Sequence, residues 1–80
     1  MSVLALVNMR TWREVRAVYK IRTNISPVMH EIKGKKVIFW FKNGNGAVAD
    51  IVTELKVRGA NVCVLWNEEE GLTGIEITRQ

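Results

Sequence analysis

The residues with the most chemistry to offer are few and far apart. His30 is the sole histidine and Cys63 the sole cysteine. His30 stands beside Glu31, yet adjacent side chains point apart on a strand and about 100° apart on a helix, so they make no acid–base pair. Cys63 lies between Val62 and Val64, where a cysteine serves as a small buried hydrophobe unless an electropositive, accessible setting activates it. Glu68, Glu69 and Glu70 follow one another in a turn, so their carboxylates diverge and lack the spacing of an oxygen-ligand loop. No reaction centre assembles from these groups. The expectation is a non-enzymatic domain without metal or cofactor.

Two other sets of residues point to binding. Asn43, Gly44, Asn45 and Gly46 break the chain sharply, and Gly44-x-Gly46-x-x-Ala49 fits the relaxed dinucleotide fingerprint between a strand and a helix. Glycines there let backbone N–H groups approach a phosphate, and a helix N-terminus favours an anion. The same four residues equally make a plain tight turn. The chain is about half the length of a dinucleotide-binding domain, and Glu68, the acidic partner for a ribose, comes slightly late. These four residues are the candidates for a small-molecule or phosphate ligand.

The second set is basic. The net charge of +4 conceals an asymmetry: up to Lys42 there are nine Lys/Arg against Glu14 and Glu31, or +7, and beyond it three against six acids, or −3. Such a division hints at a polyanionic partner, DNA or RNA, although solvated surface has the same composition. Arg10, Arg13, Arg16 and Lys20 form one stripe, while Lys33, Lys35, Lys36 and Lys42 flank a strand. Clustered cations of this kind contact phosphates with salt-dependent affinity, and Trp12 and Trp40 would add stacking surfaces if exposed. The leading expectation is therefore a nucleic-acid-binding module. A ligand-binding module at the Asn43–Gly46 loop and a homodimeric protein-interaction module are the alternatives.

The elements that must position these residues follow from local pattern. Val3–Val7 reads as a short buried strand, with no positive region before it to make it a signal peptide. Thr11-Trp12-Arg13-Glu14 has the capping-box form; Trp12, Val15, Val18 and Tyr19 then cluster on one side of a helix, with Arg13, Arg16 and Lys20 on the other. Glu14–Thr23 also alternates as a strand would, but the cap favours the helix, and Arg16 and Lys20 share a face either way. Ser26-Pro27 opens either a short helix stopped by Gly34 or a strand over Val28–Lys33.

The remainder is plainer. Lys36–Lys42 is a central strand with Lys36, Ile38, Trp40 and Lys42 on one face and Val37, Phe39 and Phe41 on the other. Ala47–Arg58 is an amphipathic helix ended by Gly59, Asn61–Trp66 a strand, and Gly74–Thr78 a final strand paired to it as a hairpin. The fold class is α/β, a small two-layer sandwich over residues 1–80. Its mixed four- to five-stranded sheet carries two helices on one face, as βαβαββ or as a ferredoxin-like βαββαβ plus an edge strand.

Three resemblances attach to these segments. The strand, the loop ending in Gly46, the helix, Gly59 and the hairpin are similar to part of an ACT-type amino-acid-binding domain, with Asn residues where that loop has Asp and Pro. Leu4–Met9 and Lys33–Trp40 resemble the signature strands of RNA-recognition motifs, with Ala5, Lys35 and Val37 in place of the stacking aromatics. The βαβαββ order ending in Gly74–Arg79 looks like the Alba-type nucleic-acid-binding fold, whose basic hairpin arm is acidic here at Glu68–Glu70. None of these identifies a family.

Size adds a constraint. A domain this small buries roughly 60–65% of its unfolded surface, and a lone cysteine offers no intrachain disulfide. Dimerisation is expected to help, and the free thiol favours the cytoplasm. No run approaches the apolar length of a membrane span.

Overall fold

The computed structural model describes residues 9–78. They form α1 (Trp12–Tyr19), β1 (Met29–Lys33), β2 (Lys36–Lys42), α2 (Ala47–Val57), β3 (Asn61–Asn67) and β4 (Leu72–Thr78). The strands make one sheet in the order β1-β2-β4-β3, with both helices on one face, a two-layer α/β sandwich. Every described strand pair is antiparallel. The strand expected at Val3–Val7, and any parallel pairing it would bring, lies outside the described residues.

The ambiguous stretch between Thr11 and Lys33 resolves into a helix and a strand. Thr11 caps α1, its hydroxyl accepting the Glu14 N–H at 3.2 Å, while the Glu14 carboxylate accepts the Arg10 N–H at 2.8 Å. Lys20 ends the helix in the left-handed region, at φ 55°, and its N–H returns to the Arg16 carbonyl. No helix follows Ser26-Pro27. Instead the Val28 N–H donates to the Trp40 carbonyl at 2.8 Å, and Met29–Lys33 pairs with β2 through a turn at Gly34, where φ is 57°. Cross-strand pairing here outweighs a local helix signal.

The hairpin expected at the end of the chain is present as β3 and β4, but β4 is not an edge. It runs between β2 and β3, pairing Phe39 with Ile75 on one side and Val64 with Ile75 on the other. The face under the helices buries Val37, Phe39, Phe41, Ile75 and Ile77 against Trp12, Val15 and Tyr19 of α1 and Val48, Ile51, Val52 and Leu55 of α2. Trp12 stands 5.3 Å from Phe39 and 5.2 Å from Phe41, ring centre to ring centre, tilted or edge-on. Burial of each such side chain contributes about 1.5–3 kcal/mol.

The opposite face of the sheet has a smaller apolar cluster of Ile38, Trp40 and Leu72, with Leu65 packed against it. Trp40 lies across Gly74 so closely that a Cβ there would sit 2.8 Å from its ring. The indole N–H donates to Glu31 at 3.2 Å. No described helix is long and apolar enough to cross a membrane.

Candidate ligand-binding site

The turn after β2 and the start of α2 shape a cleft against the end of β3. Gly44 needs its glycine, since φ there is 84°. Asn45 stands just outside the helix and its carboxamide oxygen accepts the Ala47 N–H at 3.1 Å, while its carbonyl accepts the Val48 N–H at 3.2 Å. Asn43 is tied down from both sides: its N–H donates to the Gly71 carbonyl at 2.9 Å and its side-chain oxygen accepts the Thr73 hydroxyl. The loop is thereby fixed to the β3–β4 turn.

Between this loop, α2 and β3 lies a cleft of about 630 Å³, lined by Gly44–Gly46, Val48, Ala49, Val52, Val64, Trp66 and Thr73. Its walls are mostly carbon. Trp66 forms one of them and is 70% exposed. The strand's alternation sets this position: Val62, Val64 and Trp66 all face the helical layer, and Val62 and Val64 are half-buried in its core.

Gly46 lines the same cleft. Its backbone is ordinary right-handed helical (φ −62°, ψ −21°), and a Cβ there would meet no atom within 4 Å. Neither conformation nor packing asks for glycine. The bare backbone instead keeps the mouth of the cleft open. Anion binding at the helix start is less well provided for: Asn45 already occupies the Ala47 N–H, and Asp50 places a carboxylate in the first turn.

The basic residues do not gather on one surface. Arg13, Arg16 and Lys20 belong to α1, in the helical layer. Lys33, Lys36 and Lys42 alternate with the residues under that layer and so project from the opposite face, and Lys35 sits in the turn between β1 and β2. Two of these cations have partners, Lys33 with Glu31 at 3.3 Å and Lys36 with Glu76 at 3.5 Å. Arg16 is half-buried, with its Nε enclosed and unpaired, because its place on the helix is beside Trp12 and not opposite it. Arg10, Arg13, Lys20 and Lys42 are exposed.

Neither tryptophan expected to stack on bases is accessible. Trp12 is 7% exposed, with its N–H bound to the Ile25 carbonyl at 3.2 Å, and Trp40 is 8% exposed over Gly74. Trp66, which sequence reasoning left aside, is the accessible indole among the described residues. Its signal was the alternation of β3, which sets Trp66 on the same face as Val62 and Val64.

His30 and Cys63 lie on β1 and β3, the outer strands among the described residues, and on opposite faces of the sheet. They therefore do not meet. The His30 ring is 6.2 Å from that of Phe39. Among the described residues no three His, Cys, Asp or Glu side chains converge as metal ligands would. Comparison with protein families, with curated proteins and with solved structures finds no match for this chain.

Proposed function

We propose that this domain is a non-enzymatic binding module that takes a flat, largely apolar small molecule in the cleft beside Trp66. The observation that carries the reading is the open, carbon-lined cleft itself, walled by an uncovered indole and left free of a side chain at Gly46. Ligand sites are typically concave, mostly apolar and edged by a few fixed polar groups. Here the Gly44–Gly46 backbone and Thr73 supply that edge. The apolar lining and the self-capped helix start favour an uncharged aromatic group over a phosphate.

The test is a titration with aromatic amino acids, nucleosides and anilinonaphthalene sulfonate, followed by the amide resonances of residues 44–49 and the Trp66 indole. Saturable shifts confined to these signals are expected. Resonances unmoved across the whole panel would remove the reading.

Polyanion binding is a second reading with its own support. Arg13 of α1 and Lys20 at its C-cap are exposed and form no ion pair among the described residues, and being seven residues apart they lie on one side of the helix. Binding of DNA or RNA through them would weaken steeply with salt. Absence of binding to either nucleic acid at low ionic strength would exclude it. The exposed thiol of Cys63 suits a reducing, cytoplasmic setting for either reading.

A further inference from the structure

Among the asparagines of the chain, Asn43 and Asn45 alone are followed by glycine. That order has chemical weight. The backbone nitrogen after an asparagine can attack its carboxamide carbon, and glycine has no Cβ to obstruct the approach. By sequence the two pairs are equivalent. The fold treats them differently.

Asn43 is held away from its neighbour. Its N–H donates to the Gly71 carbonyl at 2.9 Å and its carboxamide oxygen accepts the Thr73 hydroxyl, so the side chain is drawn across to β4. Asn45 is exposed and turns back along its own chain. Its carboxamide oxygen accepts the Ala47 N–H at 3.1 Å, two residues on, which lays the carboxamide over the Asn45–Gly46 peptide. The attacking nitrogen and the carbon it attacks are thereby kept close together. The same N–H polarises the carboxamide carbonyl and stabilises the negative oxygen that attack creates. Gly46 itself leaves open space where a Cβ would stand.

We infer that Asn45 is a site of spontaneous deamidation, which sets a new carboxylate at the mouth of the cleft beside Trp66. Base removes the Gly46 amide proton, and the nitrogen bonds to Cγ of Asn45. The Cγ–Nδ2 bond breaks, and the side-chain nitrogen leaves with a proton as ammonia, closing a cyclic imide. Water then opens the imide. Breaking the bond from nitrogen to Cγ gives aspartate, and breaking the bond to the main-chain carbon gives isoaspartate. Nothing is oxidised or reduced. Either product replaces a neutral carboxamide with an anion at a residue that lines the cleft, and lowers the net charge of +4 by one. In isoaspartate the chain also runs through Cγ. The carbonyl that accepts the Val48 N–H at 3.2 Å then becomes part of the free carboxylate, so the entry to α2 is rebuilt.

The reaction does not rest on the ligand reading, although its effect on the cleft does, and it is followed by mass and not by binding. Folded full chain is incubated in mildly alkaline buffer and digested with trypsin. Residues 43–56 are then mapped by mass spectrometry, with isoaspartate detected by enzymatic methylation. Conversion at Asn45 is expected to run several-fold ahead of Asn43 and to quicken as pH rises, while in denaturant the two rates converge. Gly46→Ala is expected to slow Asn45 by about tenfold, because a Cβ now obstructs the attack. That variant keeps the fold, since φ there is −62° and the Cβ would meet no atom within 4 Å. Thr73→Val releases the Asn43 carboxamide and should raise its rate toward that of Asn45, with a thermal melt to check that the fold is kept. Equal conversion of the two asparagines in the folded chain, or faster loss at Asn43, would overturn the inference. So would a Gly46→Ala chain reacting at the parent rate, or an Asn43 rate unmoved in folded Thr73→Val.

Discussion

Trp40 and Trp66 are the same residue type, each in a seven-residue strand, and their surroundings have opposite consequences. Trp40 is on β2, with β1 and β4 to either side, and lies over Gly74 with its N–H held by Glu31. Trp66 is near the end of β3, the border strand among the described residues, and shares an open cleft with Val48, Ala49 and Val52 of α2. One is 8% exposed and the other 70%. A central strand surrounds its side chains with neighbours, whereas a border strand leaves them available. Stability is concentrated in the first region, and the proposed binding surface lies in the second.

This contrast is most easily broken at Trp40. Trp40→Ala should destabilise the domain by about 3–5 kcal/mol, as truncation of a buried aromatic does, seen as a large drop in the urea midpoint. Gly74→Ala attacks the same contact from beneath. Its Cβ would press on a ring already flanked by β1 and β4, for a loss of about 1–3 kcal/mol. If Gly74→Ala proved neutral, the tight approach of Trp40 to β4 would be wrong.

The helical layer offers a smaller test. The Tyr19 hydroxyl is buried without a hydrogen-bond partner, so Tyr19→Phe should be neutral or stabilising by about 1 kcal/mol near neutral pH. Burial also raises the pKa of this phenol above its ordinary 10.0. The folded state therefore resists ionisation. Its contribution is fully present below pH 10.0 and is lost as pH rises through the folded value, where tyrosinate forms more readily in the unfolded chain. The stability difference between parent and Tyr19→Phe should widen in favour of Phe in alkali, and a pH-independent difference would refute this.

Least of all should stability notice Trp66. Trp66→Ala is expected to shift it by no more than about 0.5 kcal/mol while abolishing ligand-induced shifts in residues 44–49. A loss as large as that of Trp40→Ala would erase the distinction between the two regions.

How much of this was legible in the sequence differs from element to element. Helix α1 was legible because Thr11 and Glu14 form a cap that acts within one turn, and α2 because Gly59 and its apolar stripe are equally local. The alternation that puts Lys36, Ile38, Trp40 and Lys42 on one face was also plain, being fixed by the pleat. The central place of β4 was not, since it depends on pairing Lys36 with Thr78, far apart in the chain. The scatter of the basic residues was hidden for the same reason. Arg13 and Lys42 belong to different layers, and no local pattern reports that. The Asn43–Gly46 loop was singled out for its glycines, but the wall that makes it a cleft, Trp66, comes from a strand made later in the chain.

The position of β4 between β2 and β3 also bears on how the chain acquires its shape. During synthesis the β1–β2 hairpin, α2 and β3 are all made before the strand that joins them. Until Leu72–Thr78 appears, β2 and β3 lack the strand that both pair with, and Ile75 and Ile77 are missing from the apolar floor under the helices. Closure of the sheet is therefore a late, concerted event governed by contacts of long sequence separation, and refolding should be slow for so short a chain.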